Sequence, residues 1–144
     1  MLKALTKTCG TCWVTLPLRL VLGAIFLGHG GQKLFGWFGG YGLQATAGFF
    51  ADKLGMTPGI FWAALAGGGE FFGGLLVLLG LVTRFGALNI AIVMLVAIVR
   101  VHWGTFFGPT GIEYPLAVFG SAVALLIAGG GALSVDAALQ GPSD

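Results

Sequence analysis

Charge is the scarcest property of this sequence. Only 8% of its 144 residues are Asp, Glu, Lys or Arg, whereas 57% are hydrophobic and the mean hydropathy is +0.98. Soluble domains carry about 25% charged residues, so this chain has too few polar groups to cover a surface in water. The scarcity excludes an ordinary soluble domain and predicts a protein that contacts a lipid bilayer.

The sequence also lacks the motifs of several functional classes, which excludes those classes. The net charge of +2 is small and dispersed, without a run of Lys or Arg, an RNA-binding signature or a phosphate-binding P-loop, so we expect no nucleic-acid partner. We also find no haem, flavin, iron–sulfur or metal motif. Any redox chemistry in this chain would therefore need a partner protein that supplies electrons.

Four long apolar segments predict the fold, an all-α four-helix transmembrane bundle. They span residues 16–38, 58–82, 85–107 and 115–133. Each is long enough to cross a hydrocarbon core of ~30 Å at ~1.5 Å per helical residue. We expect one membrane domain over 16–133, an N-terminal tail over 1–15 and a C-terminal tail over 134–144. The glycine-rich stretch GGGEFFGG (67–74) predicts a close helix contact.

The connection between the first two helices (39–57) carries a weak amphipathic pattern. Leu43, Ala47, Phe50 and Leu54 recur at three- and four-residue steps. This spacing predicts a short interfacial helix, and an ordered loop fits equally well.

The basic residues predict the orientation. Lys3, Lys7, Arg19 and Arg84 flank one side of the predicted bundle, and Lys33 and Lys53 flank the other. By the positive-inside rule we expect both termini of a multi-pass membrane protein to lie in the cytoplasm. Arg19 would lie at the inner edge of the bilayer and snorkel to the interface.

Counting ~1.5 Å per residue from the helix ends predicts that ionisable groups meet in the outer half of the membrane. The cluster comprises His29, Lys33, Glu70, Arg100, His102 and Glu113. A charge at mid-bilayer costs at least ~2.5–3.5 kcal/mol, so such groups face one another or a wet cavity. Two interpretations stay open, a functional pocket and a neutral clamp between helices.

Aromatic residues concentrate near the same end. Those nearest the cluster are Trp37, Trp62, Trp103 and Tyr114. An aromatic cap over histidines and carboxylates would suit a flat redox ring such as a quinone. A one-sided aromatic belt with core packing explains the same residues.

We assign the predicted site residues to two roles, proton transfer and ligand binding. We predict Glu70 and His29 as catalytic residues. The predicted ligand-binding residues are Lys33, Arg100, His102, Glu113, Tyr114, Trp37, Trp62 and Trp103. No metal site is expected.

The motif TCGTCW places Cys9 and Cys12 just before the first helix, at the opposite end from the cluster. C-x-x-C spacing suits a dithiol/disulfide couple, although a cytoplasmic position favours reduced thiols. Two unrelated tail cysteines fit the sequence as well. A zinc site would need two further ligands, which the surroundings do not offer.

Three blocks resemble the DoxX family of small bacterial membrane proteins: RLVLGAIFLGHGGQKLFG, GGGEFFGGLLVLLGLVTRFGAL and RVHWGTFF…GIEYP. The resemblance spans about residues 17–133 and implies a four-helix bundle in the bacterial inner (plasma) membrane. It also implies that His29, Lys33, Glu70, His102 and Glu113 occupy recurring polar positions. Some members of the family are linked to thiosulfate:quinone oxidoreduction, and others to membrane oxidoreductase assemblies with soluble partners.

Three hypotheses follow. The first is a membrane subunit of a quinone-linked redox system, similar to thiosulfate:quinone oxidoreductase. The second is a non-enzymatic subunit that docks and stabilises a larger complex, and a homo-oligomer is compatible with either. The third is a pathway for protons or small solutes, which the apolar inner half disfavours.

Overall fold

The computed structural model describes residues 5–140, so Lys3 and the last four residues of the predicted C-terminal tail lie outside the described residues. The described chain contains six α-helices and no strand, which confirms the all-α prediction. The helices are α1 (Thr15–Phe35), α2 (Gly42–Gly48), α3 (Gly59–Leu79), α4 (Thr83–Arg100), α5 (Glu113–Ala128) and α6 (Val135–Gln140).

Two of these helices, α3 and α4, are long and apolar enough to cross a membrane. Helix α5 is apolar but has only 16 residues. Helix α1 is as long as α3 but carries Arg19, His29 and Lys33, which lower its hydropathy. Three ionisable residues, of which His29 and Lys33 are candidate site residues, therefore weaken the membrane signal of α1.

Helix α4 ends at Arg100, whereas the apolar run predicted a helix over 85–107. Beyond Arg100 the chain forms a closed loop, because Ile112 N donates to Thr105 O at 3.1 Å and Glu113 N donates to Phe106 O at 3.1 Å. These bonds fold residues 105 and 106 back against the start of α5. The apolar residues after 100 thus belong to a loop above the helix ends.

The four longer helices pack around a common core. Helix α1 packs on α3, α3 on α4, α4 on α5, and α5 on α1. The α1–α3 contact is close at Gly74, where an added Cβ would lie 2.5 Å from Leu27 N and 2.9 Å from Gly23 O, and it is also close at Gly30, where an added Cβ would meet the backbone of Phe71. The glycine-rich stretch is therefore a tight helix contact at this position.

Nine buried apolar side chains form a core cluster that lies toward one end of these helices. They are Leu22, Phe26, Val77, Ala87, Ile90, Ala91, Val118, Ala122 and Leu125. We call this end, formed by Thr15, Leu79, Thr83 and Ala128, the terminal end, and the opposite end, formed by Phe35, Gly59, Arg100 and Glu113, the cleft end.

Between α1 and α3 the chain forms α2 and a π-helical turn over Phe49–Lys53. Helix α2 packs against both α1 and α3. Of the two alternatives for residues 39–57, the structure contains the short helix. It lies over the cleft end.

The predicted C-terminal tail is instead folded against the terminal end. Asp136, which is fully buried, accepts hydrogen bonds from Val82 N at 2.7 Å, from Thr83 N at 2.9 Å and from the Thr83 hydroxyl at 2.7 Å. The carboxylate therefore satisfies backbone N–H groups at the start of α4, as an N-terminal cap does.

Arg19 does not snorkel. Its side chain is only 2% exposed, and the guanidinium donates to three carbonyl oxygens of the segment that follows α5. The acceptors are Gly130 O at 2.6 Å, Ala132 O at 3.3 Å and Leu133 O at 3.0 Å. The prediction was wrong because the C-terminal segment supplies polar acceptors inside the protein, so the side chain has no need to reach the interface.

Candidate ligand cleft and cysteine pair

A cleft of about 790 Å³ opens at the cleft end. Its walls come from α1, α3 and α4, its cover from α2 and the π-helical turn, and its rim from the start of α5. Most of the lining is apolar, including Ile25, Phe26, Phe49, Leu65, Val93 and Met94. Clefts of roughly 300–1,000 Å³ with few polar groups are typical of small-molecule sites.

The charged part of the cleft is an ion pair between α1 and α3. Lys33 Nζ donates to Glu70 Oε2 at 2.5 Å, and the Glu70 side chain is 4% exposed. Among residues 5–140 this is the only salt bridge. A buried carboxylate needs such a partner, because an unpaired charge in an apolar setting is strongly destabilising.

His29 lies one helical turn before Lys33, on the same face of α1, and lines the cleft. Its imidazole makes no hydrogen bond to another described residue. The ring is therefore free to bond a molecule in the cleft.

Three further predicted residues line the cleft: Trp62, His102 and Tyr114. His102 Nδ1 lies 3.1 Å from Thr110 O, which ties the ring to the loop between α4 and α5. The structure thus brings six of the predicted site residues to one cavity.

Four predicted residues lie elsewhere. Arg100 is exposed and donates to the carbonyl oxygen of Leu54, a residue that lines the cleft, at 2.7 Å; its role in ligand binding stays a prediction. Glu113 is exposed and accepts from Gly108 N at 3.4 Å within its own loop.

The two tryptophans also point away from the cleft. The Trp37 ring packs edge-on against Phe71, with centroids 5.6 Å apart. Trp103 is 74% exposed and lies in the loop after α4. The sequence prediction placed both residues at the ends of long helices, whereas Trp37 lies in a 3₁₀ turn after α1 and Trp103 lies beyond the end of α4. Counting residues along a helix does not predict positions in the turn or loop that follows it.

Sequence reasoning missed several lining residues. Thr46 is buried in α2, and its hydroxyl donates to Gly42 O at 2.7 Å and lies 3.4 Å from Lys33 O. Ala45 and Met56 also line the cleft. The only available signal was the amphipathic spacing in 43–54, which indicated a helix but not what it covers.

The Cys9 and Cys12 side chains form a disulfide at the terminal end, with Cα atoms 5.4 Å apart. Both residues are exposed. The two cysteines are thus partners rather than unrelated thiols, whereas their redox role stays a prediction. Residues 5–140 contain no cluster of three or more His, Cys, Asp or Glu side chains that could hold a metal ion.

These features define a small helical membrane protein with a charged, largely apolar cleft. The family model for DoxX matches residues 14–103, which is more than half of the chain, so the protein belongs to the DoxX family. Searches of curated proteins and of solved structures returned no match.

Proposed function

We propose that the protein is a four-helix integral membrane subunit of a quinone-linked redox system. The observation that carries the proposal is the Lys33–Glu70 pair beside His29 in an apolar cleft of about 790 Å³. The apolar walls suit a flat ring with a hydrocarbon tail. Lys33 and His29 can donate hydrogen bonds to its carbonyl oxygens, whereas Glu70 accepts from Lys33. Membership of the DoxX family supports the proposal, since the family includes redox-linked members.

The quinone would supply a two-electron, two-proton couple when bound. Lys33 Nζ would hold a ring carbonyl through a hydrogen bond while it keeps its ion pair with Glu70. Glu70 and His29 would hold and exchange the protons, because both are titratable and both line the cleft. A partner protein supplies the electrons, as in a thiosulfate:quinone oxidoreductase.

We place the cleft in the outer half of the bacterial inner membrane, with both termini in the cytoplasm. Lys7 and Arg84 lie at the terminal end and support that orientation. The apolar core that fills the terminal half disfavours a proton or solute pathway across the bilayer.

Quinone bound to the purified protein tests this function. The protein is isolated in mild detergent and extracted with organic solvent, and quinone per chain is measured by mass spectrometry. We expect about one quinone per chain in the wild type and in the matched control Glu113→Gln, and less than a tenth of that in Glu70→Gln. Wild-type protein that carries no quinone and takes none up from added short-chain quinone would contradict the proposal.

A second candidate, a non-enzymatic subunit that stabilises a larger complex, is favoured by one observation. The Lys33–Glu70 pair joins α1 to α3 and can act as a clamp. In that case Glu70→Gln would unfold the protein or release a co-purifying partner, and no quinone would be found in any variant.

A further inference from the structure

The Cys9–Cys12 disulfide lies at the terminal end, away from the cleft, and takes no part in the function proposed above. We propose that it is a reversible thiol–disulfide exchange site that accepts two electrons from a soluble dithiol protein. The proposal rests on the surroundings of the two sulfur atoms and holds whatever the cleft binds.

The disulfide is not needed to hold its own segment in place. It joins residues only three positions apart, and the stabilisation from a cross-link falls as the closed loop shortens. Hydrogen bonds anchor the same backbone independently: Gly131 N donates to the Thr8 hydroxyl at 2.6 Å, and Ala132 N donates to Cys12 O at 2.8 Å. The S–S bond can therefore break while the segment stays on the protein.

The surroundings favour a thiolate once the bond is open. The Thr11 hydroxyl lies 3.5 Å from Cys9 Sγ and can donate a hydrogen bond to it. Arg84 Nε donates to Lys7 O at 3.0 Å, so the Arg84 guanidinium lies against the backbone two residues before Cys9. Helix α1 starts shortly after Cys12, and positive charge and a helix N-terminus both stabilise thiolates.

A partner sulfur can reach the bond. Gly10 and Thr11, the residues between the cysteines, are exposed and carry no bulky side chain. Next to Cys12, Trp13 is 60% and Val14 84% exposed, which provides an apolar surface beside the disulfide. Exposed sulfurs are accessible to exchange, whereas structural disulfides are shielded.

The exchange proceeds in two steps. A thiolate of the partner attacks Cys12 Sγ, the S–S bond breaks, and Cys9 leaves as a thiolate that accepts the Thr11 hydrogen bond. The second partner thiolate then attacks the partner sulfur of the mixed disulfide and releases Cys12 as a thiolate. The partner is oxidised to its disulfide, the pair is reduced by two electrons, and each thiolate takes up a proton from water as its protonation equilibrium requires.

The test uses the full chain in liposomes, with thioredoxin, its reductase and NADPH as the dithiol probe. Thiols are counted with an alkylating mass tag. We expect two new thiols per chain within minutes at substoichiometric thioredoxin, and the same unfolding temperature for both redox forms. Thr11→Val should slow the reduction at least about tenfold, the effect of one hydrogen bond to a charged group, whereas Thr105→Val at the cleft end should not.

Two results would overturn the proposal. One is a disulfide that resists reduction until denaturant is added, or whose reduction lowers the unfolding temperature, because either marks a structural bond. The other is a pair of thiols in the isolated protein that oxidised thioredoxin does not oxidise. Neither result bears on quinone binding, so failure here and failure in the cleft are distinguishable.

Discussion

Both ends of the molecule contain buried charged side chains, but these side chains have different hydrogen-bond partners at the two ends. At the terminal end, Arg19 and Asp136 direct their hydrogen bonds mainly to backbone groups of the chain itself. At the cleft end, Glu70 meets Lys33 through one oxygen beside an open cleft, and His29 bonds to no described residue. We infer that a charged side chain bonded to backbone groups, such as Arg19 or Asp136, stabilises the fold. An ionisable side chain that faces an open cleft, such as Glu70 or His29, can contact a ligand.

Removal of the Asp136 carboxylate should cause the largest loss of stability. Asp136→Ala leaves backbone N–H groups of Val82 and Thr83 without an acceptor and removes a charge that attracts Arg19. We expect the free energy of unfolding to fall by about 3–5 kcal/mol, as for a broken buried charge interaction. Denaturant titration in mild detergent measures it.

The control for that variant is Asp52→Ala, which removes an exposed carboxylate and should change the free energy of unfolding by less than about 0.5 kcal/mol. If the two variants had equal effects, the terminal end would not depend on its buried carboxylate.

The packed half of the molecule is tested at Gly74. Gly74→Ala places a Cβ 2.9 Å from Gly23 O, so α1 and α3 must separate, and we expect a loss of about 1–3 kcal/mol in the free energy of unfolding. Gly68→Ala in the same motif is the matched control, because no atom lies within 4 Å of its added Cβ. Equal unfolding curves for the two variants would contradict close packing at Gly74.

The ion pair at the cleft end should contribute less than the terminal-end contacts. A double-mutant cycle with Lys33→Met and Glu70→Gln should give a coupling energy of about 1 kcal/mol, because the Lys33 side chain is 30% exposed and water screens the pair. The same unfolding titration on the four proteins of the cycle gives the value. A coupling above about 3 kcal/mol would identify a clamp and favour the non-enzymatic function.

His29→Ala should lower activity strongly while it leaves stability almost unchanged. His29→Ala removes a side chain that makes no hydrogen bond within residues 5–140, so the free energy of unfolding should change by less than about 0.5 kcal/mol. Quinone-linked turnover with the redox partner should fall about 10²-fold, the usual effect of losing an acid–base group. Unchanged turnover would remove His29 from the proposed mechanism, and Lys53→Ala, an exposed cation, is the control.

The position of several cleft residues could be predicted because the rise per residue of a helix gives the depth of each residue along the helix axis. Counting residues placed His29, Lys33 and Glu70 at similar depths in neighbouring helices, and the structure brings them to one cavity. The same counting cannot give the direction of a side chain around its helix or the path of a loop. Arg100 and Glu113 therefore shared the predicted depth but bond to loop backbone instead.

The terminal end was harder to predict for a different reason. Residues 134–140 are short and partly polar, so no apolar period indicated a packed element. Asp136 gains its place through hydrogen bonds to residues more than fifty positions earlier, which local pattern cannot reveal. The resemblance to the DoxX family described membrane helices and was silent on this segment, which lies beyond the matched residues 14–103.

The contacts of Arg19 also set an order of assembly during synthesis. Arg19 belongs to α1, the first of the long helices to leave the ribosome, whereas its acceptors at 130, 132 and 133 follow α5. Until they emerge, the guanidinium must keep water or lipid headgroups as its partners. We therefore expect α1 to reach its final position only after α5 has been synthesised. In a nascent chain that ends before residue 129, Arg19 would lack these three acceptors, and cellular quality control could recognise the unpaired guanidinium.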